Sequence, residues 1–318
     1  MTRTKKSAPS QPDPGLETPP GHVSGFVSLI GRPNAGKSTL LNAMVGTKLA
    51  IVADKPQTTR TIIQGVVTTP ESQIVFLDTP GIHQPKNLLH KHMAEKVREA
   101  LGGRDLILFL VDANHSYFSD QDEQALHSLK DTNTAVILVL NKIDSLKSKT
   151  ALLPLMEQYA ARYDWAEIIP ISALTKENLD TLTKAIVSRL PPGPRYFPED
   201  YLTNQPERFL VAELIREKIL HHTREEVPHS VAVVIDTWAD EPRKDGSILT
   251  RILATIHVER AGQKAILIGE KGAMLKQVGA EARVEIEQLL DRKVYLELFI
   301  RITADWRQRA QFLHELYQ

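Results

Sequence analysis

The chain has 318 residues, 42% hydrophobic and 25% charged, with 39 Lys and Arg balancing 39 Asp and Glu. That neutrality gives no general attraction to polyanions, and the lack of cysteine excludes disulfides, thiolate metal sites and cysteine nucleophiles. The longest apolar runs, 106–111 and 135–140, fall far short of the ~20 residues that cross a bilayer, and read as buried strands of a parallel sheet.

Residues 1–22 carry five prolines and little apolar content, so a disordered extension is expected there. Arg3, Lys5 and Lys6 have no apolar run behind them, and no secretory leader is expected. From residue 23 the pattern alternates. Strands are predicted over 25–30, 61–68, 73–78, 105–111, 135–140 and 167–171, and helices over 37–46, 88–102, 119–130, 150–163 and 175–190. Such alternation specifies a parallel sheet covered by helices on both faces, with ligands at the carboxyl ends of the strands.

Polar motifs fall at those ends. Gly31-Arg32-Pro33-Asn34-Ala35-Gly36-Lys37-Ser38-Thr39 fits the phosphate-cradling pattern G-x-x-x-x-G-K-[ST], entered by a strand and left by a helix. Glycines let several N–H groups face one anion, and the helix start adds partial positive charge. Lys37 is expected on the β- and γ-phosphates and Ser38 on Mg²⁺. Asp78-Thr79-Pro80-Gly81 ends the third strand, where Asp78 can hold Mg²⁺ through water and Gly81 can offer its N–H to the γ-phosphate. Asn141-Lys142-Ile143-Asp144 ends the fifth strand. A carboxylate at Asp144 can accept from N1–H and the 2-amino group of guanine, and adenine would leave it unpaired. Asn141 would tie this loop to the phosphate loop, and Lys142 would cover one face of the base. Ser172-Ala173-Leu174 fits a segment whose backbone N–H meets guanine O6.

These four motifs, in this order, resemble the GTPases of the translation-factor class. The resemblance makes Gln57-Thr58-Thr59-Arg60-Thr61 a switch segment, with Thr59 completing the Mg²⁺ shell. Where many such GTPases place a water-orienting Gln, this chain has Ile82, so slow or assisted intrinsic hydrolysis is expected. Related GTPases with a Gly-x-Pro-Asn-x-Gly-Lys-Ser loop hold K⁺ through the Asn. The resemblance thus implies K⁺ at Asn34, in the place of an arginine finger, and a catalytic set of Asn34, Lys37, Thr59 and Gly81.

Leu190-Pro191-Pro192-Gly193-Pro194 stops the last helix of this half, and a linker is predicted over 192–206. An amphipathic helix then runs from Glu207 to about His221-His222. A strand over 230–238, a polar loop over 240–247 and a strand over 248–260 follow. Next come a short helix over 263–268, Gly269-Glu270-Lys271-Gly272, a long helix from 273 to about 290 and a strand over 294–302. The order αββααβ with Gly-x-x-Gly between the central helices is that of a type II KH domain. Two glycines allow close approach of a sugar-phosphate chain, about four nucleotides being clamped beside them. Ile266 and Ile268 are expected on the apolar side of that groove, with Lys264, Lys271 and Lys276 nearby. Residues 206–318 hold 17 Lys and Arg against 18 Asp and Glu, so recognition must come from a local basic groove.

The chain is thus expected to join an α/β P-loop GTPase domain (23–191, mostly parallel sheet) to an α+β type II KH domain (207–318) with a C-terminal helix. Together with Arg32-Pro33-Asn34, Phe197-Pro198-Glu199-Asp200-Tyr201 and Glu213-Leu214-Ile215-Arg216-Glu217-Lys218, this order resembles the Era family of bacterial ribosome-assembly GTPases. The resemblance implies binding of GTP and GDP with Mg²⁺, and of the 3′ end of 16S rRNA during 30S subunit maturation. It further implies a cytoplasmic monomer with peripheral membrane contact. Competing expectations are an RNA-binding module whose nucleotide site is structural, and another potassium-using GTPase acting in RNA modification.

Overall fold

The computed structural model describes residues 19–82, 85–115, 117–130 and 132–317. The extension expected over 1–22 lies outside the described residues apart from 19–22. Those four are ordered: the buried His22 donates from Nδ1 to the Gly193 carbonyl oxygen at 3.0 Å.

The first half comprises β1 (Val23–Gly31), α1 (Lys37–Val45), β2 (Ile63–Thr68), β3 (Ser72–Asp78), α2 (Leu88–Leu101) and β4 (Leu106–Asp112). It continues with α3 (Asp120–His127), β5 (Val136–Asn141), α4 (Leu152–Ala160), β6 (Glu167–Pro170) and α5 (Leu179–Val187). The sheet runs β2-β3-β1-β4-β5-β6, every pair parallel except β2 with β3. That exception has a local cause. Only residues 69–71 join the two strands, too few for a crossover, so a hairpin forms. Alternate residues of β4 feed two cores: Leu106, Leu108 and Leu110 on one face, Ile107, Phe109 and Val111 on the other.

The second half comprises α6 (Glu207–His222), the short α7 (Val227–Ser230), β7 (Ala232–Pro242), β8 (Ile248–Val258), α8 (Ala261–Ile268), α9 (Ala273–Leu290), β9 (Lys293–Ile302) and α10 (Ala310–Tyr317). β7 pairs antiparallel with β8, and β8 pairs parallel with β9, the crossover being α8 and α9. Two expectations need correction. β7 starts at Ala232 and continues to Pro242, because Thr250 Oγ1 donates to Asp240 Oδ1 at 2.7 Å across the ladder, and only 243–247 remain as the turn. α6 is buried around most of its circumference rather than amphipathic, with Arg216, Glu217 and Lys218 buried alongside Leu214 and Ile215. It lies between the halves of the molecule, and Ile51 of the first half joins the second core there. Segment 192–206 is strapped along β2 and β3: Val66 N–H donates to Leu202 O at 2.8 Å, and Gln73 Oε1 accepts from the Tyr196 and Phe197 amides.

Candidate functional site

A cavity of about 480 Å³ opens at the carboxyl end of the large sheet, lined by the loop between β1 and α1, by segment 51–59, and by Gly81, Asp112, His115 and Lys142. Lys37 is buried beneath it and donates to the carbonyl oxygens of Gly31 at 3.0 Å and Arg32 at 2.9 Å. Burial pushes its pKa down to about 8, against the pull of Asp78. Gly36 caps α1 at φ 92°, and a Cβ there would stand 2.2 Å from Asn141 Nδ2. Asn141 occupies that space and donates to Ala35 O at 2.9 Å, so the two loops lock together only around glycine.

Three oxygen donors from three elements meet beside Lys37. Ser38 Oγ lies 2.6 Å from Asp78 Oδ2 and 2.8 Å from Thr59 Oγ1, and Thr59 Oγ1 lies 3.4 Å from Asp78 Oδ2. Asp78 Oδ1 is buried with no hydrogen-bond partner. Burial raises the Asp78 pKa to about 6, partly countered by the Lys37 ammonium. Hydroxyl and carboxylate oxygens with an orphaned oxygen suit a hard divalent cation such as Mg²⁺. Asn34, at φ 62°, donates from Nδ2 to Asp54 O at 3.0 Å, joining the phosphate loop to segment 51–59.

On the base side, register places Asp112 beside Asn141 at the ends of β4 and β5. Lys142 Nζ donates to Asp112 Oδ2 at 2.7 Å, which fixes its stem along the cavity wall. Asp144 is exposed, and Ser172 Oγ donates to its Oδ1 at 2.5 Å. Ala173 differs from expectation: its N–H donates to Asn141 Oδ1 at 2.9 Å, so that amide braces the loops.

Four other predicted site residues face elsewhere. The Arg32 guanidinium lies 3.5 Å from the Asp122 carboxylate, pinning α3. Thr79 Oγ1 donates to Leu29 O at 2.7 Å, inside the sheet. The Ile82 side chain packs on the core over β4 and β5, and its N–H donates to Gly31 O at 3.3 Å. Pro80 is buried behind Gly81. Asp112, His115, Ile51 and Val52 are cavity residues that sequence reasoning missed. Asp112 ends a fully apolar strand as Asn141 does, and that was the available signal.

The second predicted site lies at the joint of α8 and α9. Gly269 has φ 70°, and a Cβ there would stand 2.7 Å from the Met274 Cβ. Lys271 is exposed at φ 50°, Glu270 is exposed beside it, and a Cβ on Gly272 would meet only open space. From this turn a groove of about 520 Å³ runs between α9 and β9, with Leu275, Lys276, Gly279 and Arg283 facing Leu296 and Leu298. Lys276 is therefore in place. Ile266, Ile268 and Lys264 do not line this groove, because α8 turns Leu267 and Gln263 inward. Ile266 faces solvent, Ile268 is half-buried, and Lys264 borders a separate cavity with Phe299 and Arg301.

The family model described as 50S ribosome-binding GTPase matches residues 26–142, and that of the KH domain matches residues 226–307. GTPase Era of Geobacter metallireducens is 51% identical over 293 residues, covering 92% of this chain and 97% of that protein. The chain belongs to the GTPase Era family. GTPase Era of Staphylococcus haemolyticus is 48% identical over 295 residues, 93% of this chain and 97% of that one. Among solved structures, an Era variant from Aquifex aeolicus bound to GDP·AlF4⁻ superposes with TM-score 0.87 at 42% identity, covering 92% of this chain and 98% of that chain. Era in complex with MgGDPNP and nucleotides 1506–1542 of 16S ribosomal RNA superposes with TM-score 0.88 at 42% identity, covering 93% and 98%. As an Era-family GTPase, the chain converts GTP and water to GDP and phosphate, on an α/β domain followed by a KH domain.

Proposed function

We propose that this chain is a GTP-dependent switch that binds the 3′-end region of 16S rRNA through its KH domain, assists 30S subunit maturation and releases after hydrolysis. One observation carries the nucleotide half: Ser38, Thr59 and Asp78 converge from the phosphate loop, the switch segment and β3. The solved Era complex with MgGDPNP and 16S rRNA, similar over nearly the whole chain, supports the RNA half.

In this mechanism the backbone amides of 34–39 and the Lys37 ammonium bind the phosphates. Gly81, against the phosphate loop, offers its N–H to the γ-phosphate, and Asp144 reads the guanine edge. Ser38, Thr59 and Asp78 would hold Mg²⁺, which when bound neutralises charge on the β- and γ-oxygens. Ile82 can orient no water, so the intrinsic rate is slow. Asn34 would hold K⁺ through its side-chain oxygen, its Nδ2 donating to the Asp54 carbonyl. Hydrolysis in KCl should exceed that in matched NaCl, and equal rates would remove the potassium role. Gly269, Lys271, Gly272 and Lys276 hold the RNA backbone.

No helix among the described residues is long and apolar enough to cross a membrane. In the same proposal the chain works as a cytoplasmic monomer and meets the inner membrane face only peripherally; flotation with liposomes measures that contact. Single-turnover GTP hydrolysis, with and without an RNA ending in the 16S 3′ sequence, tests the switch. RNA is expected to change the rate or the GTP affinity, and no effect on either would overturn it.

A further inference from the structure

The wall of the nucleotide cavity formed by segment 51–60 is gripped from behind by the KH half. Ile51 is buried among Leu214 and Ile215. The Val52 N–H donates to Glu217 Oε1 at 2.8 Å, and the Val52 carbonyl oxygen accepts from His221 Nε2 at 2.9 Å. Arg216 donates to the carbonyl oxygen of Thr58, beside the Thr59 hydroxyl that meets Ser38 and Asp78.

Glu217 is 1% exposed, and an ionised carboxylate so deep needs partners. Its Oε2 accepts from Lys48 Nζ at 2.5 Å and from Lys218 Nζ at 3.2 Å. The same two ammonium groups pass on to Glu285: Lys48 at 2.6 Å to Oε2, and Lys218 to Oε1. Burial opposes the charge on Glu285, but hydrogen bonds from Lys218 and Lys48 outweigh it and hold its pKa below the ordinary value. Two lysines and two glutamates thus alternate in a closed ring. Glu285 sits on α9, the helix that starts directly after Gly269–Gly272. A displacement of α9 that withdraws Glu285 leaves Lys48 and Lys218 to Glu217 alone. The carboxylate that fixes the Val52 amide must then readjust, because Lys218, 8% exposed, has lost one of its two carboxylates and leans wholly on Glu217.

We propose that Glu217 is a positioning residue for the nucleotide site, and that the ring Lys48–Glu217–Lys218–Glu285 transmits RNA seating on α9 to the cavity wall at Ile51–Asp54. The inference rests on the GTP and 16S rRNA function above. It differs from motion through the 192–206 strap, because that strap contacts the far edge of the sheet, at β2 and β3.

The test is the affinity for a non-hydrolysable GTP analogue with and without a saturating RNA of the 16S 3′-end sequence, in wild type, Glu285→Gln and Lys48→Gln. Wild type should show a ratio of about fivefold or more. Each variant should fall below about twofold, and the double variant should fall no further than either single one, as sites on one route do. Without RNA, analogue affinity in each folded variant should shift towards the value wild type shows with RNA, while RNA affinity without nucleotide stays near wild type, a separation that a merely structural role would not give. A wild-type ratio of one overturns the underlying function. Coupling in wild type that survives in either folded variant overturns the ring alone, and the two variants lie on opposite halves of the molecule so that one suffices.

Discussion

Asp78 spends one carboxylate oxygen on Ser38 and Thr59 and buries the other without a partner, an arrangement costly without a cation. Asp78→Asn should weaken Mg²⁺-dependent GTP binding by about tenfold or more, roughly 1.4 kcal/mol, while leaving Mg²⁺-free binding nearly unchanged; titration calorimetry in Mg²⁺ and in EDTA reads both. Lys37 gives a pH signature. Burial lowers its pKa to about 8, and phosphate oxygens placed beside it must raise that value again. At pH 8.5 the empty site is therefore partly neutral and takes up a proton on binding GDP. The binding heat should then differ between buffers of high and low ionisation enthalpy, and equal heats would contradict a lysine–phosphate contact. Ser38, Asp78 and Asn141 were legible in the sequence because each follows an apolar strand at a motif position. Arg32 and Thr79 share those motifs yet turn into the scaffold, towards Asp122 and Leu29 O, since side-chain direction is decided by neighbours distant in sequence.

Among the elements, the turn between α8 and α9 depends on Gly269 for two reasons, its positive φ and the nearness of Met274. Gly269→Ala should lower the melting temperature and cost about 1–3 kcal/mol, as denaturant unfolding would show. Lys276 and Arg283 border the open groove against β9. Lys276→Glu should weaken RNA binding and reduce the salt slope by about one, whereas Lys264→Glu should do so far less. Equal effects would return Lys264 to the groove. Periodicity displayed the strand and helix order of both halves apart from the short α7, including the crossover through α8 and α9. It hid the extension of β7 to Pro242, because polar Asp240 is satisfied by Thr250 on another strand. It also misjudged α6, which reads as amphipathic although Arg216, Glu217 and Lys218 are buried as well as its apolar side chains.

At the scale of the molecule, the two halves meet through the switch segment itself. Arg60 donates to Val231 O at 2.7 Å and Pro228 O at 3.2 Å, with its guanidinium 5.6 Å from the centre of the Trp306 ring. Trp306 is fully buried and its indole N–H donates to Ser230 O at 2.8 Å. One end of the switch segment is thus held by α7 and Trp306, the other by α6, with Thr59 facing Ser38 and Asp78 between them. Segment 53–61 was legible as a switch that couples the halves, but the partners of Arg60 were not, since Pro228 and Val231 lie far along the chain. Thr59 meets Ser38 and Asp78 while those KH contacts hold its segment at both ends, so a nucleotide state that moves Thr59 must also disturb them. The direct measurement is the affinity of the full chain for an RNA ending in the 16S 3′ sequence, in saturating Mg²⁺·GDP and in a saturating Mg²⁺-bound non-hydrolysable GTP analogue. A difference of about fivefold or more is predicted; identical affinities in the two states would contradict a GTP-controlled RNA switch.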